Sequence, residues 1–532
     1  MRSRAGVVAL LLGSPLALWT ILLLAVPRQD FPLNDDWAYA RGAIAFARGE
    51  GIHYFHWAGI PLLGQWLWSK PFLALFGASN IVLRLSTVML SELAVLAFFD
   101  LLRSEGLATT RAAFAAAVLA VNPLFFLLAG TYMSDVPALS FSLLALAAYA
   151  RAFARGSPAV LVAAAAAATL ASATRQNALA APAAAGLLLL TKPALRKQIG
   201  WLLAVGAPVA TGLVVAVWFR AHGDGLARGP QWPALDATFF RAFAFAHLVA
   251  LSVLPLIALD PALGSRRSLL AVGVLAMGIG VWQLAGGTRF PYLGNTLTAW
   301  GAFASESLIP GERPLVMGRG ARLAATIAGC GAAGWLLARL ARATSRGARP
   351  RLLAAFTLLQ AVGLAVSPVA FDRYALPLLP GAIGAAAWPS GARPHRVAGA
   401  CLLLLFAASS LALMHDWLSW NAARWALGRR ALARGIGAQE IEGGIEWDGW
   451  FSSGGPWRTA GPHGLVLPFN ARFFGDAPVP YALAFSQPAG TTRVDAEPYC
   501  SWLPPRAGEF LLVESAAGQG AIPAGGGKPA GQ

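Results

Sequence analysis

The amino-acid sequence predicts an all-α polytopic membrane protein with about thirteen transmembrane helices. Three observations support this fold class. Hydrophobic residues make up 57% of the 532 residues, only 12% are charged, and the mean hydropathy is +0.59. A soluble chain carries about 25% charged residues, so a water-soluble fold could not cover this much apolar surface. Three cysteines are too few for a disulfide framework.

Apolar segments of about 20 residues, the length needed to cross the hydrocarbon core, recur along the chain. The first follows Met1–Arg4 and ends at Val26. It is longer than the core of a cleaved signal peptide, and therefore predicts an uncleaved first span. The other predicted spans lie near residues 80–101, 112–130, 136–153, 158–174, 178–191, 199–219, 241–259, 269–286, 321–340, 352–368, 374–388 and 397–414.

The charges of the loops predict the orientation. Six loops would lie on the same side as the N-terminus, and all six contain Arg or Lys, whereas their only acidic residues are Glu105 and Asp260. Cytoplasmic loops of membrane proteins carry this excess of basic residues. The N-terminus is therefore predicted to be cytoplasmic. The net charge of +17 comes largely from these loops, so it indicates the orientation of the protein in the membrane, and no nucleic-acid partner is expected. These loops are residues 102–111, 151–157, 192–198, 260–268, 341–351 and 389–396.

Two long segments then fall on the outside. Residues 27–79 form a large first periplasmic loop, which belongs to a transmembrane domain of residues 1–414. Residues 415–515 are predicted to form a small C-terminal periplasmic domain, because they are too polar to span and contain several tryptophans. The Gly/Ala/Pro-rich segment 516–532 is predicted to be disordered. The Ala- and Arg-rich composition is typical of a high-GC bacterial genome and indicates the bacterial inner (plasma) membrane.

Acidic residues begin two predicted helices on the outside. Asp35 and Asp36 stand at the start of an interfacial helix in the first loop, and Asp135 precedes Pro137 at the start of the fourth span. Asp is favoured at helix N-termini, so capping is one interpretation of all three. The other is catalytic, since a carboxylate can act as the general base for an acceptor hydroxyl. An acid at this depth in a membrane protein is a functional-site candidate.

Basic residues follow three predicted spans on the same side. Arg175, Arg289 and Arg373 each lie in a short polar motif outside the membrane, where few cations are expected. One interpretation is that these side chains reach for lipid headgroups. The other is that they converge near the aspartates and hold an anion, because guanidinium groups bind phosphate in a fork geometry. Tyr374 directly follows Arg373.

Other kinds of site receive little support from the sequence. His53 and His56 are separated by two residues, but no third ligand stands at a spacing typical of a metal site. A divalent metal stays possible without support, and no cofactor is predicted. The chain has neither the Gly-rich phosphate loop of an ATP-driven transporter nor a G-x-S-x-G nucleophile elbow.

Several short motifs occur in a fixed order on one side of the predicted membrane. They are Asp35–Asp36 with Tyr39, Pro61, Gln65–Trp66, Lys70–Pro71, Arg84–Ser86, Ser134–Pro137, Arg373–Tyr374 and Leu376–Pro380. In this order the chain resembles the GT-C glycosyltransferases, and among them the bacterial relatives of the protein O-mannosyltransferases and of the lipid A aminoarabinose transferase. The resemblance is strongest over residues 30–180 and returns at 285–380.

The resemblance implies a GT-C-like fold and a polyprenyl-phosphate-linked sugar donor. Such enzymes transfer a hexosyl or pentosyl group at the outer face of the membrane in which they lie. The transfer inverts the anomeric configuration, and the acceptor is a glycolipid, a polysaccharide or a protein. Asp35 would be the base or acceptor-positioning group, with Asp36 and Asp135 beside it. Arg373, with Arg175, Arg289 and Tyr374, would hold the donor phosphate and stabilise the leaving group.

One departure from the lipid A transferase subgroup matters. That subgroup has an acidic residue and a lysine just before the proline that Pro61 matches, whereas this chain has Gly59 and Ile60. The departure argues against the metal site and the phosphate-binding lysine of that subgroup, and against aminoarabinose as the sugar.

Two other functions compete with a glycosyltransferase. A transporter or flippase of a lipid-linked saccharide would need polar groups along a route through the midplane. Acids within the spans are sparse, with Glu92 and Asp100 as the main examples, and the polar motifs cluster at one face. A degenerate, non-catalytic scaffold is the third hypothesis, against which the presence of Asp35, Asp135 and Arg373 counts.

Overall fold

The structure is a computed structural model of the chain. It describes residues 4–55, 57–222, 234–262, 290–304, 308–345, 351–367, 369–452, 457, 465–466, 468–515 and 522–523. The predicted span near 269–286 lies outside these residues.

Helices dominate the described chain. Those of the first half are α1 (Arg4–Ala25), α2 (Asp36–Ala47), α3 (Leu63–Phe76), α4 (Asn80–Ser104), α5 (Thr109–Ala120), α6 (Pro123–Ala129), α7 (Asp135–Arg155), α8 (Pro158–Thr174), α9 (Ala180–Leu190), α10 (Pro193–Arg196) and α11 (Ile199–His222). The later ones are α12 (Leu235–Ser252), α13 (Leu254–Leu259), α14 (Arg319–Ser345), α15 (Arg351–Ala365), α16 (Leu379–Ala387), α17 (Arg396–Ala433), α18 (Ile445–Phe451) and α19 (Pro468–Phe474). Short 3₁₀ helices occupy Gln176–Leu179, Asp372–Leu378 and Ala438–Glu440.

The strands are short except for one hairpin. They are β1 (Leu297–Thr298), β2 (Gly301–Ala302), β3 (Ile441–Glu442), β4 (Leu465–Val466), β5 (Tyr481–Ala484), β6 (Thr491–Trp502), β7 (Pro505–Ser515) and β8 (Ile522–Pro523).

Six described helices are long and apolar enough to cross a membrane, and a seventh span results if α5 and α6 count as one bent unit. The protein is therefore an integral membrane protein, but the predicted number of thirteen spans is not confirmed. Several segments that the sequence predicted as full spans are apolar helices of 10–17 residues. The six long segments are Gly6–Ala25, Asn80–Ser104, Asp135–Arg155, Ile199–His222, Arg319–Leu340 and Arg396–Ala433.

The predicted span 112–130 is broken in the middle. Helices α5 and α6 meet at an angle of 61°. Asn122 Oδ1 accepts hydrogen bonds from the backbone N–H groups of Leu124 and Phe125, at 3.0 and 3.3 Å, and Pro123 takes the first helical position. A capping Asn followed by Pro starts a new helix, because Pro cannot continue the hydrogen-bond ladder of the previous one.

Loops that the sequence assigns to one side of the membrane come together in the structure. On the predicted cytoplasmic side, Asp260 accepts hydrogen bonds from Arg111 at 3.0 Å and from the Ser390 hydroxyl at 2.5 Å, and Arg339 lies 3.7 Å away. The loops that carry Asp35, Asp135, Arg175 and Arg373 meet in a separate group. These contacts agree with the predicted grouping of the loops, while the side of the membrane on which each group lies stays a prediction.

The last long helix, α17, has 38 residues and runs without a break from Arg396 to Ala433. It continues past residue 414, where the sequence placed the end of the transmembrane domain. Its C-terminal half is buried, and Trp417 and Trp420 lie in the main hydrophobic core together with Phe510 and Leu512 of β7. The helix thus supports the C-terminal domain directly.

The fold class needs one correction, because the C-terminal domain is not all-α. It contains a four-stranded sheet in the order β3-β5-β7-β6, in which β6 and β7 form an antiparallel hairpin and β3 pairs with β5 in parallel. In β7, Phe510 and Leu512 join the main core, whereas Leu511 and Val513 pack with Leu465 in a second cluster. This alternation is the period of a strand, but it extends over only four residues of an otherwise polar hairpin. Of the segment 516–532, residues 522–523 pair with β4, and the others lie outside the described residues.

Candidate active site

Four charged side chains meet at helix ends on one side of the molecule. Asp35 precedes the first residue of α2, and Asp135 is the first residue of α7. Arg175 directly follows α8, and Arg373 is the second residue of the 3₁₀ helix Asp372–Leu378. Helix ends carry backbone N–H and C=O groups that the helix leaves unpaired. The four elements therefore bring polar groups together next to the apolar helix bundle.

The four side chains form a chain of ion pairs, which we call the Asp–Arg quartet (Asp35, Asp135, Arg175 and Arg373). Arg373 Nη2 lies 3.1 Å from Asp35 Oδ2, and Arg373 Nε lies 4.0 Å from Asp135 Oδ2. Arg175 Nη1 donates to Asp135 Oδ1 at 2.8 Å. All four side chains are less than 15% exposed, so these charges interact in a medium that screens them poorly.

Two hydrogen-bonding atoms of the quartet face each other without forming a bond. Arg373 Nε and Asp135 Oδ2 are both buried and have no hydrogen-bond partner among the described residues. Their separation of 4.0 Å is too long for a direct hydrogen bond. Buried polar atoms are nearly always satisfied in native proteins, so both atoms have hydrogen-bonding capacity left for a further group, such as water or a ligand.

Asp35 is oriented from both of its oxygens. Trp57 Nε1–H donates to Oδ1 at 2.6 Å, and Arg373 donates to Oδ2. The preceding residue, Asn34, has a φ of 50°, and its backbone N–H donates to Glu446 Oε1 of α18 at 3.1 Å. Glu446 in turn accepts from Arg424 Nη1 of α17 at 3.0 Å. The C-terminal domain therefore holds the segment that presents Asp35.

Arg373 is positioned by its neighbour Asp372. The Asp372 carboxylate accepts hydrogen bonds from the backbone N–H groups of Thr296, Leu297 and Arg373, at 2.9, 2.6 and 2.7 Å. Burial raises the pKa of Asp372, and these hydrogen bonds oppose that rise. Asn295 Oδ1 accepts from Arg373 Nη1 at 3.1 Å. The carboxylate thus ties the 295–297 loop to the turn that carries the guanidinium.

Asp36 does not join the quartet, although it adjoins Asp35 in the chain. Its Oδ1 accepts a hydrogen bond from the backbone N–H of Tyr132 at 2.9 Å. Burial raises the pKa of Asp36 to about 7, and the Arg84 guanidinium acts in the opposite direction. The carboxyl group links the first loop to the segment before α7 through Oδ1, while Oδ2 is buried and has no hydrogen-bond partner among the described residues.

Tyr39, one turn after Asp35 on α2, lies against the same charges. Burial raises the pKa of its hydroxyl well above the usual range, and the Asp35 carboxylate adds to the rise. The phenol is therefore protonated throughout the physiological range and can serve only as a neutral hydrogen-bonding group.

A cavity of about 450 Å³ opens beside the quartet. Asp135, Arg175 and Tyr374 line it. Arg373 is not in its lining but lies within 4.0 Å of Asp135, and Asp35 is reached through Arg373. Arg175 stands over the Tyr374 ring with its guanidinium carbon 5.5 Å from the ring centroid. The remaining wall is mixed, with apolar side chains such as Phe219 and Phe356 and polar ones such as Asn177, Arg220 and Gln360. This combination suits an amphipathic ligand with an anionic group.

The first loop closes one edge of the cavity. The Leu62 backbone N–H donates to the Thr174 carbonyl oxygen at 3.2 Å, directly before Arg175. At Gly64 a β-carbon would lie 2.1 Å from the Leu170 carbonyl oxygen, so this close approach of α3 to α8 requires glycine. Gly59 and Ile60, which precede Pro61, line the cavity and carry no metal-binding or cationic group.

Some predicted residues lie elsewhere or outside the description. Arg289 lies outside the described residues, as does His56. His53 Nε2 lies 2.6 Å from the carbonyl oxygen of Glu50. Within the described ranges, no group of three or more His, Cys, Asp or Glu side chains is arranged to hold a metal ion.

Three residues of the site were not predicted as site residues. Trp57 binds Asp35 through a loop whose conformation no sequence pattern indicates. Asn295 stands in the same polar motif as Arg289, which was a usable signal. Gln360 is 3% exposed and exchanges hydrogen bonds with Asn177 at 3.0 and 3.3 Å. A glutamine within an apolar run is costly unless it is paired, and this signal could have identified Gln360.

Comparison with known proteins agrees with the resemblance that the sequence predicts. Residues 60–218 match the family model of the dolichyl-phosphate-mannose-protein mannosyltransferases, which confirms the resemblance over a segment that includes Asp135 and Arg175. No curated protein has a significant match with the chain. Crystal structures of ArnT from Cupriavidus metallidurans, in the apo state and bound to undecaprenyl phosphate, align with 97% of this chain and 99% of theirs. Their sequence identity is 15%, and the TM-scores are 0.43 and 0.40.

Proposed function

We propose that the protein is an integral-membrane glycosyltransferase that moves a sugar from a polyprenyl-phosphate donor to a lipid, glycan or protein acceptor. The proposal places the reaction at the periplasmic face of a bacterial inner membrane, with the N-terminus in the cytoplasm. The matched family acts, by its description, on a mannose carried by dolichyl phosphate. A related donor here would bring a phosphate and a long apolar chain to the same site.

The observation that carries the proposal is the unsatisfied pair within the quartet. Arg373 Nε–H and Asp135 Oδ2 face each other across 4.0 Å, beside a cavity with an arginine in its wall. A phosphate oxygen at Arg373 Nε would complete the hydrogen bonding of that guanidinium. A sugar hydroxyl, which both donates and accepts, would satisfy the carboxylate oxygen.

In the proposed reaction the acceptor hydroxyl loses its proton to Asp35 while its oxygen attacks the anomeric carbon. The bond between that carbon and the phosphate oxygen breaks, and the polyprenyl phosphate leaves with the bonding electron pair. Arg373 and Arg175 stabilise the negative charge that develops on this leaving group. Attack opposite to the leaving group inverts the anomeric configuration.

To act as a base, Asp35 must loosen its ion pair with Arg373. The guanidinium has five N–H groups in a planar fork, of which two now serve Asp35 and Asn295. A phosphate that engages Arg373 would compete with Asp35 for the cation. We propose that donor binding in this way frees one oxygen of Asp35 for the acceptor proton.

The proposal is tested by transfer assays with the protein reconstituted in liposomes. A panel of radiolabelled polyprenyl-phosphate sugars and a membrane extract as acceptor would be supplied to wild type, Asp35→Asn and Asp36→Asn. We expect the transfer rate of Asp35→Asn to fall at least about a hundredfold while the variant still binds the donor. Asp36→Asn should keep most of its transfer rate when equal amounts of folded protein are compared.

Two results would contradict the proposal. Equal transfer by wild type and Asp35→Asn would remove Asp35 from the mechanism. Movement of labelled lipid across the bilayer without transfer, seen only when the protein is present, would favour a flippase.

A further inference from the structure

A second group of titratable side chains lies in the C-terminal domain, on elements that take no part in the cavity. Cys500 of β6 lies beside His415 and Asp416 of α17. His415 Nε2 is 3.8 Å from Cys500 Sγ, and His415 Nδ1 is 2.9 Å from Asp416 Oδ1. The imidazole therefore stands between a thiol and a carboxylate, with one ring nitrogen toward each.

The imidazole of His415 is held in place by its neighbours, whereas the Cys500 thiol is accessible. The His415 side chain is 1% exposed, and its ring stacks on Trp502 with the centroids 3.7 Å apart and the planes 5° from parallel. Asp416 is held by the Ser501 hydroxyl at 2.7 Å and by the backbone N–H groups of Trp502 and Leu503, at 2.6 and 2.9 Å. Cys500, in contrast, is exposed.

The carboxylate decides which nitrogen of His415 carries the proton. An ionised Asp416 can only accept a hydrogen bond, so the neutral imidazole places its hydrogen on Nδ1. The lone pair of Nε2 is then directed at the Cys500 thiol. A thiol next to an oriented imidazole is the arrangement that generates a nucleophilic sulfur in proteins.

We propose that Cys500 is a reactive thiol, with His415 as its base and Asp416 as the positioning residue, and that its substrates are disulfides. In the step, the Cys500 sulfur attacks one sulfur of the disulfide while its proton passes to His415 Nε2. A mixed disulfide forms on Cys500, the original disulfide bond breaks, and the released thiolate takes the proton from the imidazolium. The disulfide is the only oxidant required.

The backbone around Cys500 favours sulfur exchange over acyl transfer. Acyl transfer needs N–H donors free to bind an oxyanion. The Cys500 N–H already donates to Ser419 Oγ at 3.3 Å, and the N–H groups of Trp502 and Leu503 serve Asp416. Thiol–disulfide exchange places its charge on sulfur and needs no such donors.

A small cavity adjoins the carboxylate of the cluster. Asp416 lines a small cavity of about 40 Å³ together with Arg313, Arg506 and Tyr499. Arg313 comes from the segment before α14, Arg506 from β7 and Tyr499 from β6.

The test uses the full-length protein in detergent, with Cys330→Ala and Cys401→Ala so that Cys500 is the single thiol. The rate of its reaction with the anionic aromatic disulfide dithiobis(nitrobenzoate) is measured at neutral pH. We expect Cys500 to react several-fold faster than N-acetylcysteine, and His415→Ala to slow the reaction at least about tenfold. Added imidazole should restore part of the lost rate, which a purely structural role would not allow.

Matched variants separate the base from the surroundings. Ser419→Ala removes the other side chain that contacts Cys500 but leaves the imidazole, and should change the rate by less than about twofold. His415→Gln provides a second, polar replacement if His415→Ala does not fold. A parent protein that reacts no faster than N-acetylcysteine, or His415 variants as fast as the parent, would overturn the proposal.

Discussion

Asp35 and Arg373 are 338 positions apart in the chain, yet the carboxylate and the guanidinium meet at 3.1 Å in a buried site. Trp57 fixes the carboxylate from the other side, and Asn295 fixes the guanidinium. A buried ion pair of this kind contributes less to stability than its geometry suggests, because both groups lose their hydration. Its value for the proposed function lies in the orientation of both groups.

Replacing Arg373 by lysine should impair the site while keeping its charge. An ammonium group cannot bind Asp35, Asn295 and a phosphate together in one plane, as the guanidinium fork can. We expect kcat to fall by at least about a hundredfold with the fold intact. Reconstituted transfer assays measure this effect, and unchanged kcat in Arg373→Lys would show that only the charge matters.

Removal of the Arg373 side chain should separate stability from activity. Arg373→Ala leaves Asp35 without its cationic partner in a buried site, and breaking a buried pair costs about 3–5 kcal/mol. Adding Asp35→Asn neutralises that charge, so the double variant should be more stable than Arg373→Ala and remain inactive. Denaturant unfolding in detergent measures the difference. A double variant no more stable than Arg373→Ala would show that the unpaired Asp35 carboxylate does not destabilise the protein.

Asp36 should make the stability depend on pH. Its pKa of about 7 in the folded protein exceeds the unfolded value near 4, so the folded state binds the proton more tightly. The free energy of unfolding should therefore fall as the pH rises from about 4 to about 7, and level off above that range. The change is on the order of a few kcal/mol. Asp36→Asn should flatten this part of the profile, and identical profiles for the two proteins would contradict the prediction.

The contact between α18 and the first loop should tolerate no added methyl group. At Gly449 a β-carbon would lie 2.2 Å from the indole of Trp37, which is fully buried on α2. Gly449→Ala should destabilise the protein by about 1–3 kcal/mol and reduce transfer, because α2 carries Asp35 at its start. Gly331→Ala on α14, where the new methyl group meets nothing within 4 Å, is the control and should be neutral or slightly stabilising.

A large side chain at Gly363 should block the cavity. Gly363 lines the cavity, and its β-carbon position meets nothing within 4 Å. Gly363→Trp should therefore fold normally and raise the KM for the polyprenyl donor at least about tenfold, because the indole would occupy the ligand volume. Gly331→Trp on α14 controls for a bulky residue on an apolar helix. Unchanged donor KM in Gly363→Trp would place the donor elsewhere.

Chelation should leave the transfer reaction unaffected. In the proposed mechanism the guanidinium groups of Arg373 and Arg175 would supply the positive charge that a divalent metal supplies in other transferases. We expect the rate to change by less than about twofold when EDTA is added to the reconstituted protein. Loss of activity that returns with added Mg²⁺ or Mn²⁺ would show that a metal site exists.

The sequence predicted that several of the site segments lie on one side of the membrane. Asp135, Arg175 and Arg373 each stand at an end of an apolar run on one side of the predicted membrane, and convergence there was one of two interpretations; the packing of the helices brings them together. The roles of neighbouring residues could not be predicted in the same way. Asp35 and Asp36 have equal chemistry, but adjacent helical residues point about 100° apart, and only the packing of α2 determines which one faces Arg373.

The parts of the fold that were missed depend on contacts between distant segments. Asn122 and Pro123 form a recognisable helix-start signal. They lie within a continuous apolar run, which predicts one span and not the break between α5 and α6. The sheet of the C-terminal domain pairs Ile441 with Tyr481 in parallel, across forty residues that give no local sign of the partner. Trp57 reaches Asp35 from an irregular loop, whose course depends on packing against Trp37 and Phe473.

The unbroken helix α17 has a mechanical consequence. Its 38 residues correspond to about 57 Å at 1.5 Å per residue, nearly twice the hydrocarbon thickness of roughly 30 Å. One rigid rod thus passes from the lipid phase to Arg424, which holds Glu446 and through it the Asn34 backbone next to Asp35. A thinner or thicker bilayer changes the tilt of such a rod, and a change of about 5° would move its far end by about 5 Å. The lipid composition of the membrane would thereby act on the placement of Asp35, whose side chain is only 9% exposed.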